Sequence, residues 1–457
     1  MYGFWAAAVA VGCDPQAAGP KTGHWRNAMS VVHPGVESTR GSSRFAGKLT
    51  APAKVSFNVK LLQRLLRWAG NPPLELALAS GELARGPGTE AVARVTLRDR
   101  ATLLGVLADP LVRFGDAYSE GQIEISGDLV GLIELAYQAS AAGAADSIAS
   151  RALTRLRRPR NNSLTGSREN IHRHYDIGND FYALWLGSTM AYTCAYYPTA
   201  HATLDEAQVA KFDHVARKLR LRPGESVVEA GCGWGGLALH LARRYGVKVR
   251  AFNISKEQIA WARDQAVRSG LENRVEFIDD DYRNIAGRYD AFVSVGMLEH
   301  VGLPNYPELG RVISRCLPAH GRGLIHSIGR NRPAPLHAWI EKRIFPGAYA
   351  PSLGEMARIF EPQELSVLDV ENLRLHYAQT LRHWLALYER EVDRVRAMFD
   401  EKFVRMWRLY LAGSIAAFNT GALQLFQVVF APQRNNALPL TRDHLYGDRA
   451  WPADAGG

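Results

Sequence analysis

The stretch Val227-Val228-Glu229-Ala230-Gly231-Cys232-Gly233-Trp234-Gly235-Gly236 decides the architecture. A short apolar run reads as a buried strand, and the glycines after it let the chain turn sharply and bring backbone close to a ligand. Outward from this loop, strand and helix patterns alternate. Strands are expected at 226–229, 247–253, 275–279, 289–295, 323–328, 366–370 and 424–430. Helical patterns lie between most of them, notably 255–269 with Ser255 as its N-cap, and 307–316. Strands alternating with helices imply an α/β fold, a parallel sheet with helices on both faces.

The loop fits two ligand classes. Gly231, Gly233 and Gly236 spell G-x-G-x-x-G, the dinucleotide pattern, while Glu229 onward spells E-x-G-x-G-x-G, the loop of class I S-adenosylmethionine methyltransferases. A dinucleotide fold needs an acidic residue at the tip of the second strand for the ribose hydroxyls. That tip is Ala251-Phe252-Asn253-Ile254-Ser255, with no carboxylate. An acidic cluster, Asp279-Asp280-Asp281, instead follows the third strand, where a carboxylate can accept the adenine amino group. The methyltransferase reading is therefore preferred, a Rossmann-like fold of class I.

Upstream of this domain the chain divides in three. Residues 1–56, rich in Gly, Ala, Ser and Pro, read as a loosely ordered leader. Residues 57–138 read as a small α+β domain. It opens on a helix with Leu61, Leu62, Leu65 and Leu66 on one face and Lys60, Gln63, Arg64 and Arg67 opposite. That leucine face suits either a phospholipid headgroup boundary or the domain's own core. Residues 139–169, Ala- and Ser-rich and then carrying Arg151, Arg155, Arg157, Arg158 and Arg160, read as a linker. The methyltransferase domain is expected over 170–435 and a tail over 436–457.

Composition narrows the partners. Fifty-five Lys and Arg against 45 Asp and Glu give a net charge of +10, which favours an anionic partner. Nucleic acid is disfavoured, since no helix-turn-helix, zinc-finger or RNA-recognition signature is present. Four cysteines, Cys13, Cys194, Cys232 and Cys316, exclude a disulfide scaffold and have no zinc-ribbon spacing. A reducing, cytoplasmic setting follows. No apolar run approaches the ~20 residues of a membrane span, so contact with a membrane is expected from its side.

Further motifs surround the loop. They are His174-Tyr175-Asp176-Ile177-Gly178-Asn179-Asp180-Phe181-Tyr182 and Tyr192-Thr193-Cys194-Ala195-Tyr196, then Ser255-Lys256-Glu257-Gln258. Val295-Gly296-Met297-Leu298-Glu299-His300-Val301-Gly302, Leu324-Ile325-His326-Ser327-Ile328-Gly329 and Ile344-Phe345-Pro346-Gly347 follow. With these motifs the chain from about 170 to 432 resembles the cyclopropane-fatty-acyl-phospholipid synthases, and 57–150 more weakly resembles that family's N-terminal lipid-binding domain. Asn253 stands where the family more often has threonine, and Glu229 where aspartate is commoner.

The resemblance implies a chemistry. S-adenosyl-L-methionine, as substrate, gives its methyl to the cis double bond of an unsaturated phospholipid acyl chain, and the carbocation loses a proton to close a cyclopropane. It also implies a bicarbonate base held by Cys194, Glu299, His326, the Ile328 amide and Tyr377. Cofactor binding falls to Tyr192, Thr193, Gly231, Gly233, Asn253, Ile254, Gln258 and Asp281. No metal is implied: Glu299-His300 and the His172/His174 pair lack a third ligand at characteristic spacing. An alkene is a weak nucleophile, so the site must align it and exclude water that would quench the cation. Tyr175, Tyr192, Tyr196 and Tyr349 are candidate aromatic faces toward sulfonium and cation. The partner implied is unsaturated phospholipid at the inner face of the cytoplasmic membrane, and the resemblance also suggests a homodimer.

Alternatives stay open. Ring closure could be omitted, giving a methylene- or methyl-branched acyl chain. Small-molecule N-methyltransferases share much of the fold, and a non-catalytic lipid-binding protein could retain it. By residue type alone Cys194 reads as a core thiol and His326 as a hydrogen-bonded core histidine.

Overall fold

The structure is a computed structural model that describes residues 56–88, 90–139 and 177–446. The leader up to 55, the Arg151–Arg160 run, His172, His174, Tyr175 and Asp176, and the tail from 447 lie outside the described residues.

The first described element is the helix Phe57–Trp68, started by Ser56, whose side chain accepts from the Val59 N–H. Of the two roles open to its leucine face, packing holds. Leu62, Leu65 and Leu66 are buried with Leu74, Leu76, Leu78, Val95 and Leu97. Lys60, Gln63, Arg64 and Arg67 remain exposed. Those leucines therefore do not face a lipid boundary; they close a small four-stranded sheet of order β2-β1-β3-β4. Its strands are Leu74–Leu78 (β1), Leu83–Arg85 (β2), Ala93–Leu97 (β3) and Ile123–Gly127 (β4). β1 and β3 run parallel, while β2 and β4 are antiparallel to their neighbours.

The larger sheet has order β10-β11-β9-β8-β5-β6-β7. Its strands are Ser226–Ala230 (β5), Lys248–Asn253 (β6), Val275–Asp279 (β7), Ala291–Val295 (β8), Arg322–Gly329 (β9), Leu365–Asn372 (β10) and Gln424–Pro432 (β11). Each falls where the pattern predicts, and the central strands do so because a strand buried on both faces is a nearly unbroken apolar run; all five residues of β8 are buried. The expectation of an all-parallel sheet needs one correction. β11 is antiparallel to both its neighbours, pairing Gln427 with His326 of β9 and with Glu371 of β10. Direction reverses because β11 follows an excursion of three helices, Arg374–Arg390, Val392–Met398 and Glu401–Asn419. Helices flank the sheet's two apolar faces, and strand order switches at β5, where ligands of open α/β sheets bind.

The excursion carries an aromatic core. Phe181 lies edge-on to Trp185, Phe399, Phe403 and Trp407, with ring centroids 5.0–5.8 Å away. The small sheet's helices dock on the same excursion and on the helix Ala338–Arg343. Arg343 grips both oxygens of Asp116 at 2.9 and 2.8 Å, and Arg405 donates to the carbonyls of Tyr118 and Ile123 at 2.6 Å each. Gly115 lies so close to the Trp339 ring that a Cβ would stand 2.5 Å from its Nε1.

A buried charge cluster ties the helix Leu204–Lys218 to β10. His214 Nε2 and Lys218 Nζ donate to Glu371 Oε2 at 2.7 and 2.6 Å. Burial alone would raise the Glu371 carboxyl, but the His214 hydrogen bond and the Lys218 charge outweigh it and hold it at about 2. A folded value below the ordinary 4.5 means the contribution is complete above that pH and is lost as pH falls from there through about 2. Glu371→Gln is therefore expected to lower the melting temperature at neutral pH and to flatten its decline across that acid window, read by thermal scans at stepped pH.

Candidate active site

The glycine loop is pinned to the second strand by the Gly231 and Cys232 N–H groups, which donate to the Phe252 carbonyl at 2.9 and 3.1 Å. Gly231, Gly233 and Gly235 have φ of +82°, +55° and +83°, which side-chain-bearing residues rarely adopt. Their surroundings differ. A Cβ on Gly231 would stand 2.7 Å from Met297 Cβ, and one on Gly235 2.6 Å from the Phe277 ring, whereas Gly233 faces open space. Packing requires the outer two, and the middle one leaves a cradle. Trp234 turns away and donates to Asn179 Oδ1 at 2.7 Å, bringing the 177–182 motif against the loop.

Beside the cradle, Asn253 Nδ2 donates to Gly233 O at 3.3 Å and to Gln258 Oε1 at 2.7 Å, and the Ile254 N–H donates to Asn253 Oδ1. Ser255 caps the following helix as predicted, accepting from the Gln258 N–H. Asp280 N–H donates to Asn253 O, which draws the third strand's end toward the second's. Asp281 is buried and accepts from the Arg283 N–H through Oδ1. Gly231, Gly233, Asn253, Ile254, Gln258 and Asp281 thus share one end of the sheet.

Residues 191–195 form the opposite wall. Gln208 donates to the carbonyls of Ala191 and Thr193 at 3.2 and 2.9 Å, Lys211 Nζ to Thr193 Oγ1 at 2.7 Å, and Ala195 N–H to Thr380 Oγ1 at 3.0 Å. Tyr192 sits among Tyr182, Trp185 and Trp384, its hydroxyl 2.8 Å from that of Tyr410. Tyr196 points elsewhere, stacked between His214 at 4.2 Å and His376 at 4.9 Å. Tyr349 gives its hydroxyl to Glu355 and its N–H to the Glu299 carbonyl. Those partners commit Tyr196 and the Tyr349 hydroxyl to packing and capping.

Of the five residues named for a base, Glu299 and Ile328 are in direct contact, Cys194 and Tyr377 share the Leu373 carbonyl, and His326 lies two residues before Ile328 on β9. Cys194 Sγ lies 3.9 Å from the Leu373 carbonyl, which also accepts from the Tyr377 N–H. Leu373 N–H donates to Leu425, and Leu425 pairs with Ile328 across the sheet. The Ile328 N–H donates to Glu299 Oε1 at 2.6 Å rather than into the site, so its structural partner is the carboxylate. Gln427 Nε2 donates to His326 Nδ1 at 3.0 Å, which leaves the ring proton on Nε2. His326 Nε2 and Glu299 Oε2 are both buried and have no hydrogen-bond partner among the described residues.

Burial governs the charges. It pushes the Cys194 thiol well up, so the sulfur is a neutral thiol rather than a nucleophile. It pushes His326 well below the usual imidazole range, with the Lys211 and Lys218 charges adding to the effect. Glu299 rises to about 7, against the opposing pull of the Ile328 N–H. His300 falls to about 4, in contact with Phe345.

Several participants escaped the sequence reading. Gln208 and Lys211 are polar residues three apart on the buried side of a helix, and Gln427 interrupts the apolar run Gln424–Pro432. Polar residues where the period demands apolar ones were the available signal.

Residues 162–428 match the family described as mycolic acid cyclopropane synthetase, and 61–147 match a domain of unknown function. A probable fatty acid methyltransferase of Pseudomonas putida is 36% identical over 387 residues, 82% of this chain and 96% of that protein. The cyclopropane-fatty-acyl-phospholipid synthase of Escherichia coli K12 is 37% identical over 270 residues, 59% of this chain and 69% of its own. The crystal structure of mycolic acid cyclopropane synthase CmaA1 complexed with SAH and CTAB superposes with a TM-score of 0.55 at 29% identity, covering 58% of this chain and 98% of that one.

Proposed function

Because the chain belongs to the mycolic acid cyclopropane synthetase family, whose members make it an S-adenosylmethionine-dependent methyltransferase, we propose that its acceptor is the cis double bond of an unsaturated phospholipid acyl chain and its product a cyclopropane. The observation that carries this reading is that Glu299 Oε2 and His326 Nε2 are both buried without a hydrogen-bond partner among the described residues. One accepts and the other donates, as a small hydrogen-bonded base requires.

The cradle at Gly233 and the polar tips of Asn253 and Gln258 suit the cofactor. Bound there, it supplies an electrophilic methyl carbon. The chain's own part is to orient and to keep dry: Tyr192, half-buried and packed against Trp185 and Trp384, would present a ring that favours positive charge without offering a nucleophile. Bicarbonate fits the base position. Glu299 Oε2 would accept its O–H while Ile328 keeps Oε1 in place, and His326 Nε2–H would donate to a second oxygen. Cys194 and Tyr377 would close the shell. The proton then leaves the new methyl group for the base, and the electrons of that C–H bond close the ring.

Among the described residues no helix is long and apolar enough to cross a membrane. Approach from the inner face of the cytoplasmic membrane, with the 57–138 domain touching lipid, belongs to the same proposal.

One observation favours a second product. A relative matched along 96% of its length is named a probable fatty acid methyltransferase. Loss of a different proton from the same cation would give a branched methylene chain. Expression in a host with unsaturated phospholipids, followed by mass spectrometry and proton NMR of the methyl esters, separates them. Cyclopropane ring protons are expected; a methylene or methyl branch alone would establish the second product, and unaltered acyl chains would remove both.

A further inference from the structure

Lys211 is a buried lysine that the proposed chemistry does not use. It is 1% exposed, in the middle of the helix Leu204–Lys218, and it forms no ion pair with a described residue. Its Nζ donates to Thr193 Oγ1 and lies 4.6 Å from the centre of the Phe212 ring. Enclosing an ammonium with its facing carboxylate, Glu229, beyond ion-pair distance is costly, and a polar-to-apolar exchange at such a place often stabilises a fold. Thr193, a neutral hydroxyl, returns little of that cost.

The position of Thr193 supplies a reason. A Cβ on Gly296 would meet Thr193 Cγ2 at 2.8 Å, and Met297, the next residue, is the wall against Gly231. Thr193 therefore stands one residue from the glycine loop, at the mouth of the switch point. Gln208, one helical turn before Lys211, holds the carbonyls on either side of Tyr192. Two buried polar residues of one helix face thus clamp the 191–194 wall.

We propose that Lys211 is a positioning residue of the cofactor site, holding the Thr193 hydroxyl in place and setting a positive charge behind it for the α-carboxylate of the cofactor's methionine end. This rests on the reading that the methionine end lies over Gly231 and Gly233. An enclosed ammonium acting on a carboxylate in low dielectric is strong, and a hydroxyl between them relays the polarisation. The groups facing Lys211 are Cys194 from the 191–195 wall, Glu229 from β5 and His326 from β9. Burial lowers the lysine to about 7, against the pull of Cys194 and Glu229, and raises Glu229 to about 8. Both are therefore poised to change charge near neutrality, and a bound carboxylate would favour the protonated lysine.

The test is calorimetric titration of the full-length protein with S-adenosylhomocysteine at stepped pH, beside steady-state kinetics. Wild-type affinity is expected to weaken as pH rises above about 7. Lys211→Met should bind ~10-fold or more weakly at low pH, lose that pH dependence, raise KM for S-adenosylmethionine more than it lowers kcat, and melt no lower than wild type. Unchanged affinity and pH slope in a folded Lys211→Met would overturn the proposal, as would a lower melting temperature with unchanged affinity. Thr193→Val, which removes the acceptor and keeps the shape, is the second variant; wild-type affinity there also overturns it. Failure of the wild-type protein to bind S-adenosylhomocysteine would instead remove the cofactor placement beneath both.

Discussion

Replacing Glu299 by Gln is expected to lower kcat at least ~100-fold while leaving affinity for S-adenosylhomocysteine within about threefold. The amide keeps the shape and its oxygen can still accept from the Ile328 N–H, so the fold around β9 stays intact. Lost is the anionic acceptor at Oε2, the atom proposed to take the O–H of bicarbonate. The effect should carry a pH signature. With the Glu299 carboxyl raised to about 7, wild-type turnover at saturating cofactor and fixed bicarbonate should climb as pH rises through that value, since only the carboxylate accepts. Glu299→Gln should lack the climb. Added bicarbonate should restore part of its rate by mass action. Wild-type turnover that survives removal of dissolved carbonate would end the bicarbonate assignment, and full activity in Glu299→Gln would end the role of the carboxylate.

Gly233→Val should weaken S-adenosylhomocysteine binding by ~100-fold or more, measured by calorimetry, in a protein that still folds. Two effects add. A φ of +55° is costly for a β-branched residue, and the new side chain would fill the open cradle where the cofactor is proposed to lie. Its neighbour provides the contrast. Gly235→Ala would drive a methyl into Phe277 and Ala262, and should lower the melting temperature before it lowers affinity. If Gly233→Val binds as tightly as wild type, the cofactor does not cross this loop.

These two substitutions fall on residues that the chain announces, and the reason is local. Glycines at fixed spacing after an apolar run, and strands buried on both faces, write their structure into adjacent positions. Sites assembled from distant segments do not. The Ile328 amide was expected to face the base and instead holds Glu299, 29 residues away, a pairing that no spacing rule predicts. Tyr196 and Tyr349 carry the right ring for cation contact, yet His214 and His376 claim the Tyr196 ring and Glu355 takes the Tyr349 hydroxyl. The leucine face of residues 57–68 shows the same limit, since amphipathic period is identical for a helix on lipid and a helix on a sheet. Lys211 and Gln427 were visible only as polar residues out of phase.

Insertion of β11 between two strands made long before it orders events on the ribosome. His326 and Gln427 are separated by 101 residues, so the imidazole acquires its orienting partner only after the chain between them has been made. Until then β9 and β10 each present an unpaired edge, one carrying the apolar Leu324 and Ile325. Closure over so long a span is slow, and open edges of this kind pair readily with other chains. The pairing that orients the His326 ring thus cannot form before β11 is made, and the edges that β11 covers stay open to other chains until then.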